Sequence, residues 1–174
     1  MMKPQVSAEV FKSTFQDVIR VGLNWERFLA EQWPIEEVTL ESHDELARCF
    51  VPWYIGKGGE EVAYDHPEAV PMRLVDVPKA TRLLHDERQD DIRDNVSEYE
   101  RHASDVEFIA PSYALPGNEY FLLDRNHRMS ALTIAPVRFR VTLWNVRGPL
   151  EKEGLLDLIH WDGTHARLHG TAKQ

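Results

Sequence analysis

The 174-residue chain carries 20 Lys and Arg side chains against 29 Asp and Glu, which gives a formal net charge of −9, and 43% of its residues are hydrophobic. This composition is typical of a folded protein with one substantial core, and the negative charge disfavours a general nucleic-acid binder because it repels a polyanion. The apolar stretches are shorter than the ~20 residues of a membrane helix, and the amino terminus lacks the apolar segment of a signal peptide. We therefore expect a cytoplasmic protein without a membrane partner.

The first 69 residues are predicted to be mainly helical. One long amphipathic helix over 7–32 is indicated by apolar residues that recur every three or four positions: Phe11, Phe15, Val18, Gly22, Trp25 and Leu29. A shorter helix over 42–50 would begin with a capping box formed by Ser42 and Glu45. The glycine-rich segment 56–59 lacks the spacing of a Walker motif and is interpreted as a turn. The single cysteine, Cys49, has apolar neighbours, which predict a buried thiol.

From residue 70 onward the pattern indicates strands mixed with helices. The predicted elements are a strand over 72–77, a charged helix after Pro78 with Ile92, Val96 and Tyr99 on one face, strands over 106–113, 120–123 and 137–144, and a closing helix over 150–161. Pro116, Gly117 and Asn118 predict a tight turn. The continuous apolar run 120–123 is typical of a central strand that is buried on both faces.

These elements predict an α+β fold in which a small mixed β-sheet is packed with helices and carries an N-terminal helical extension. The expected division of the chain is a helical extension over 1–69, an α/β core over 70–150, and a C-terminal helix with a polar tail over 151–174.

The most informative segment is Asp124-Arg125-Asn126-His127-Arg128, hereafter the polar turn, which lies between an apolar strand pattern and a helical pattern. The first backbone N–H groups of a helix lack intrahelical partners, so a polar turn at this point favours an anion such as phosphate. A structural alternative is that Asp124 or Asn126 caps the helix while the arginines lie in solvent.

The charge distribution favours the anion site. Residues 121–150 contain five arginines and a single acid, a local net charge of +4 in an acidic chain. Arg138 and Arg140 alternate with apolar residues and therefore share one side of the predicted strand 137–144. We expect both to support the bound anion.

The order of elements over 70–150, together with the segment Leu123 to Leu132, resembles the ParB/sulfiredoxin superfamily. Its strand-to-helix signature is commonly Asp-Gly-(Asn/His/Cys/Glu)-(His/Arg)-Arg, which matches Asp124, Asn126, His127 and Arg128 in this chain. The resemblance covers about half of the chain and implies a ParB/sulfiredoxin-like core whose turn holds nucleotide phosphates. It would place Asn126, His127 and Arg128 on those phosphates.

The chain departs from the resemblance at three points. Asn126 stands where sulfiredoxins have their nucleophilic cysteine, so sulfinic acid repair is excluded on chemical grounds. Partition proteins carry Glu-Arg-Arg where this chain has Asn126, His127 and Arg128, and no helix-turn-helix segment is evident. Arg125 replaces the usual glycine, which adopts positive φ without penalty, so the arginine either obstructs a phosphate or binds it.

The predicted function is to bind a nucleotide or another phosphorylated small molecule for phosphoryl transfer or nucleotide hydrolysis. Asp124 and His127 are the candidate catalytic residues, with Asp124 on Mg²⁺ or the acceptor. The candidate ligand-binding residues are Arg125, Asn126, His127, Arg128, Arg138 and Arg140. The expected cofactor is a nucleoside triphosphate with Mg²⁺, and no resident metal site is expected, because His160, His165 and His169 fit no compact ligand pattern.

Two other functions stay open at this point. One is a ParB-type DNA-associated protein, either nuclease-like or regulatory. The other is a non-catalytic module that senses an anion and binds a partner through its N-terminal helix. The sequence leaves a homodimer open as well.

Overall fold

The computed structural model describes residues 6–80, 83–102 and 105–165, and within them it forms a mixed β-sheet with helices on both faces. The strands are β1 Ile35–Leu40, β2 Cys49–Ile55, β3 Glu61–Val62, β4 Val70–Arg73, β5 Val106–Leu115, β6 Glu119–Leu122 and β7 Phe139–Val146. The helices are α1 Ala8–Phe15, α2 Trp25–Glu31, α3 His43–Leu46, α4 Val77–Ala80, α5 Asp86–Arg101 and α6 Asn126–Leu132, with 3-10 helices at Leu74–Asp76 and Leu156–His160. This confirms the predicted α+β class with a mixed sheet.

The seven strands form one sheet in the order β1-β7-β5-β6-β2-β3, with β4 paired to β2. The pairs β5–β7 and β2–β6 are parallel, and the other pairs are antiparallel. The β5–β6 hairpin turns through residues 116–118, as predicted, with Gly117 and Asn118 at positive φ.

Two hydrophobic clusters cover the two faces of the sheet. One is formed with α3, α5 and α6, and the other with α1, α2 and the C-terminal 3-10 helix. Phe121 and Leu122, successive residues of β6, are fully buried and point into different clusters. The predicted central strand is therefore confirmed as buried on both faces.

The predicted long helix over 7–32 is wrong. The chain forms α1 and α2 with an extended segment between them, in which Leu23 bridges to Leu155. Asn24 starts the second helix by accepting a hydrogen bond from the Arg27 backbone N–H. The apolar spacing continues across the break because both helices pack on one cluster, in which Phe11 and Phe28 are fully buried.

The helical extension over 1–69 is also wrong, because β1, β2 and β3 of the sheet lie in this range. β1 pairs with β7, and β2 pairs with β6, so the sheet crosses the expected boundary at residue 70. The Ser42–Glu45 capping box is present, yet α3 ends at Leu46. The next residues form β2, where Cys49 is buried as predicted.

Later predictions hold with shifted bounds. The charged helix corresponds to α5, in which Ile92 and Tyr99 are buried. The predicted strand over 137–144 corresponds to β7. The strand over 72–77 becomes β4 followed by a 3-10 turn, and the closing helix shortens to the 3-10 helix Leu156–His160. The polar tail beyond residue 165 lies outside the described residues. Within them, no helix has the length and apolar character needed to cross a membrane.

Candidate functional site

The candidate site is a cavity of about 860 Å³ that contains the whole polar turn. This volume falls in the usual range of ligand pockets. The other lining residues come from β2, β3, α5, the segment 20–22 and the C-terminal 3-10 helix: Arg20, Val21, Gly22, Pro52, Trp53, Tyr54, Glu61, Val62, Ala63, Tyr64, His85, Arg88, Asn95, Leu123, Leu156 and Asp157.

The cavity forms where the sheet opens beside β2. β4 pairs along one edge of β2, so β6 and β3 must share the other edge. β6 pairs with β2 at Cys49 and Phe50, and β3 pairs with it at Tyr54 and Ile55. The backbone of 51–53 is therefore free of a strand partner on that edge, and the chain leaving β6 enters the polar turn at the same level. Ligands commonly bind in such crevices at the carboxyl ends of parallel strands.

A bulge in β2 directs two successive side chains into this opening. The register with β4 shifts between Val51 and Tyr54, across Pro52, which has no N–H to donate. Trp53 and Tyr54 consequently both line the cavity, although alternating strand residues normally face opposite ways. Both side chains are buried, so each forms part of the cavity wall.

The polar turn begins with a strained residue. Arg125 is the N-cap of α6 and has a φ of 67°, in the left-handed region that favours glycine. An arginine in this conformation is strained, whereas a glycine would adopt it without penalty. No side chain caps the helix, which corrects the capping alternative for Asp124 and Asn126.

Three successive residues of the turn leave buried polar atoms without a hydrogen-bond partner among the described residues. These atoms are Arg125 Nε, Asn126 Oδ1 and His127 Nε2. Buried polar atoms in folded proteins are almost always satisfied, so each such exception calls for an explanation, a bound ligand being one. All three belong to residues that line the cavity.

The two candidate catalytic residues have shifted pKa values. Burial raises the pKa of the Asp124 carboxyl, and this effect outweighs the backbone N–H and charge of Arg125. Burial lowers the pKa of the His127 imidazole, although the Asp91 carboxylate lies 3.8 Å from Nδ1. At neutral pH His127 is therefore uncharged and can take up a proton when an anion arrives.

The arginines of the turn are held at the two sides of the cavity. Arg125 lies 3.6 Å from the Asp124 carboxylate and 5.8 Å from the centroid of the Phe15 ring. Arg128 is exposed at the rim, with its guanidinium 5.8 Å from the centroid of the Phe108 ring. Arg128 and Arg20 form no ion pair with any other residue that the structure describes, so both charges are available to a ligand.

The opposite wall carries a buried acid that the sequence did not reveal as a site residue. The Tyr54 hydroxyl donates a 2.6 Å hydrogen bond to Asp157 Oδ2. Burial raises the pKa of Asp157 to about 6, against the lowering effect of this hydrogen bond. Tyr54 has its own pKa raised by burial and by the neighbouring carboxylate.

The third acid of the cavity, Glu61, is already paired with basic side chains. Glu61 lies in contact with Arg88, at 2.9 Å, and with His85, at 3.2 Å. Arg88 also stacks on Trp53, whose other neighbour is the His127 ring at 5.3 Å. This packing fixes the imidazole against a buried indole.

The structure does not bring Arg138 and Arg140 to the cavity. Arg138 pairs with Asp105, and Arg140 pairs with Glu41, both on an exposed surface. Neither residue lines the cavity that holds the polar turn. Their alternation along β7 was predicted correctly, but the exposed face of that strand is used for ion pairs with neighbouring strands and loops.

Signals for the missed residues exist in the sequence. Arg88 and Asn95 share the face of α5 that buries Ile92 and Tyr99, and a polar residue on a buried face is unusual. Asp157 interrupts the apolar run from Leu155 to Ile159. The bulge at Pro52 and the return of Arg20 to the site depend on tertiary pairing, so local patterns could not reveal them.

Neither a metal-binding group among the described residues nor similarity to a known protein identifies a ligand for this cavity. Across the part of the chain that the structure describes, no group of three or more His, Cys, Asp and Glu side chains is placed to hold a metal ion. The rings of His160 and His165 lie 4.3 Å apart at a tilt of 46°. His169, the third of those histidines, lies outside the described residues. No protein-family model matches the chain, and no curated protein or solved structure shows significant similarity to it.

Proposed function

We propose that the cavity binds a phosphorylated small molecule, with a nucleoside triphosphate as the leading candidate, and that it transfers or hydrolyses a phosphoryl group. The observation that carries the proposal is the pair of unsatisfied polar atoms Arg125 Nε and His127 Nε2. These buried atoms belong to residues that line one cavity, beside the charges of Arg20 and Arg128. Phosphate oxygens would accept hydrogen bonds from the Arg125 guanidinium and from His127 once the imidazole is protonated.

The arginines supply most of the binding energy in this proposal. α6 has only seven residues, so its dipole adds little beyond the backbone N–H groups of its first turn. A guanidinium instead offers a planar pair of donors that matches a phosphate. Catalysis would then rest on positioning and on stabilisation of the charge that develops during transfer.

Asp124 suits a magnesium ion that arrives with the nucleotide. Mg²⁺ is commonly held by one or two carboxylates together with substrate phosphates. Asp124 lies inside the polar turn, is half-buried and has only a loose ion pair with Arg125. A bound Mg²⁺ would neutralise phosphate charge and lower the pKa of the Asp124 carboxyl.

A small anion fits this protein better than a nucleic-acid backbone. Outside the cavity, many arginines are already paired with acids, including Arg138, Arg140 and Arg147. A polyanion would have to break these pairs and approach a chain with a net charge of −9. The resemblance to ParB/sulfiredoxin-like proteins supports the nucleotide over other phosphates, because that signature is associated with nucleotide phosphates.

Binding is tested by thermal unfolding and calorimetry with ATP, CTP, GTP, their diphosphates and inorganic phosphate, each with and without Mg²⁺. A ligand at 100 times its Kd should add about 2.7 kcal/mol to the free energy of unfolding. Arg128→Lys should weaken binding about 10- to 100-fold, because an ammonium cannot reproduce the two-pronged contact. Arg128→Ala should weaken it at least as much.

Arg138→Ala is the matched control, since it removes the same charge from an exposed position outside the cavity. It should leave the Kd within about twofold. Silence of the wild type across the panel would refute the proposal. Equal losses in Arg128→Ala and Arg138→Ala would show that the ligand senses net charge rather than this cavity.

A further inference from the structure

The Tyr54–Asp157 pair is a part of the cavity that anion binding does not use. Asp157 is 4% exposed and Tyr54 is 1% exposed, yet both line the cavity. Tyr54 donates to Oδ2. The backbone N–H of Asp157 also hydrogen-bonds this carboxylate.

The pair lies close to the groups that hold the anion. Tyr54 follows Trp53 directly, and the Trp53 ring packs against His127 of the polar turn. On the other side, Gly22 lies so close to Leu156 that an added Cβ would come within 2.5 Å of its Cδ1. This contact and the Leu23–Leu155 bridge fix the 3-10 helix that carries Asp157 at the cavity wall.

We propose that Asp157 is the general base of the phosphoryl transfer, accepting a proton from the attacking oxygen of water or of an alcohol, and that Tyr54 is its positioning residue. This inference rests on the proposed function and names the residue that activates the acceptor. The nucleophile would approach between the Tyr54–Asp157 wall and the polar turn, opposite the arginines that hold the phosphates.

The proton and electron balance of the step is simple. The O–H bond of the nucleophile breaks, and its proton passes to the Asp157 carboxylate while a new O–P bond forms. The bond between the transferred phosphorus and the bridging oxygen breaks, and the leaving nucleoside diphosphate keeps that electron pair. Asp157 then returns its proton to solvent.

The other two acids of the cavity are less suited to this role. Glu61 is engaged by Arg88 and His85, and Asp124 belongs to the anion-binding turn. Asp157 forms no ion pair with another described residue, and its partner Tyr54 is neutral.

The titratable groups around the pair are few. Within the described residues, two such groups face the pair. These are Tyr64, which follows β3, and His160, which stacks on Tyr54. Burial raises the pKa of Asp157 to about 6. The carboxylate is therefore a stronger base than an exposed one, yet it remains ionised at pH 7.

The test measures nucleotide binding and phosphate release in the full-length chain, with Mg²⁺ and each triphosphate, in water and with a panel of polyols as acceptors. Asp157→Asn should bind nucleotide within about twofold of wild type and lose about 100-fold or more in turnover. Tyr54→Phe should move the acid limb of the pH–rate profile to higher pH, because the hydrogen bond it removes favours the carboxylate. A purely structural Tyr54 would leave that limb in place.

Asp162→Asn is the control on the same segment, since Asp162 accepts hydrogen bonds from the Lys152 and Thr164 backbones and does not line the cavity. It should keep turnover below its unfolding temperature. Wild-type turnover in Asp157→Asn or an unmoved limb in Tyr54→Phe would overturn the assignment alone. Nucleotide binding without transfer to water or any polyol would overturn the proposed transfer together with the assignment. Absence of nucleotide binding to the wild type would overturn the proposed function together with it.

Discussion

Replacement of Asp157 by asparagine should stabilise the protein at neutral pH. Burial raises the pKa of this carboxyl from the usual 3.8 to about 6. Ionisation is therefore more costly in the folded protein than in the unfolded chain by about two pKa units, or ~3 kcal/mol. The asparagine side chain carries no charge, and its amide oxygen can still accept the hydrogen bond from Tyr54.

The sign of the pH dependence follows from proton binding. Between the two pKa values the folded protein holds a proton on Asp157 that the unfolded chain has released. The contribution of this carboxyl to stability is therefore full below pH 3.8 and is lost as the pH rises through about 6. The stabilising effect of Asp157→Asn should accordingly be small near pH 4 and approach ~3 kcal/mol at pH 7.5.

Urea unfolding at a series of pH values measures this difference directly. Asp162→Asn gives the opposite signature, because hydrogen bonds from Thr164 and Lys152 lower the pKa of Asp162. That variant should be destabilised at neutral pH and should approach wild type as the pH falls toward the lowered pKa. Asp157→Asn could instead be less stable than wild type at pH 7.5, or have an effect that does not depend on pH. Either result would show that the folded protein does not oppose ionisation of Asp157.

Three further changes probe other parts of the molecule. Arg125→Gly should change the free energy of unfolding by less than about 1 kcal/mol, because relief of the left-handed backbone offsets the added freedom of the unfolded chain. Calorimetry should nevertheless show weaker nucleotide binding, and tighter binding would mark the arginine as an obstruction. Sulfate, whose charge is constant, should bind more tightly as the pH falls from 7.5 to 5.5 if His127 takes up a proton. A His127→Gln variant with the same slope would assign the effect to a cavity carboxylate instead, first of all Asp157 with its pKa of about 6. Phe28→Ala should cost about 3–5 kcal/mol in urea unfolding, because its fully buried ring packs against Phe11 and Trp33. A loss below 1 kcal/mol would show that α2 contributes little to the core.

Local patterns predicted the elements whose partners are near in sequence. The β5–β6 hairpin, the buried strand β6, the alternation of β7 and the polar turn all follow from spacing and turn residues. The two N-terminal helices shared one apolar spacing because both cover the same face of the sheet. The break between them coincides with contacts to the other end of the chain, which include the Leu23–Leu155 bridge and the close approach of Gly22 to Leu156.

The site was predicted in part for the same reason. The polar turn is contiguous, so its chemistry is visible in the sequence. The opposite wall is assembled from β2, the segment 20–22 and the C-terminal 3-10 helix, and these meet only after the sheet has formed. Arg138 and Arg140 were expected at the site from charge alone, yet their strand presents them to Asp105 and Glu41. Local charge density therefore did not identify which arginines line the cavity.

Several energetic costs in this protein lie at the cavity, although Gln32 and Asn118 also have positive φ and Asn145 Nδ2 is a further buried atom without a partner among the described residues. Arg125 holds a backbone conformation that costs roughly 1–2 kcal/mol, and its neighbours leave buried polar atoms unsatisfied. Asp157 adds a buried carboxylate whose ionisation opposes folding at neutral pH. A purely structural role would not require several costs at the same place. A preorganised binding site does require them, because its donors and charges are placed for a ligand before the ligand arrives. Binding of the correct anion should therefore stabilise the chain more than its contacts alone suggest, and Asp157→Asn should be the variant that gains stability while it loses turnover.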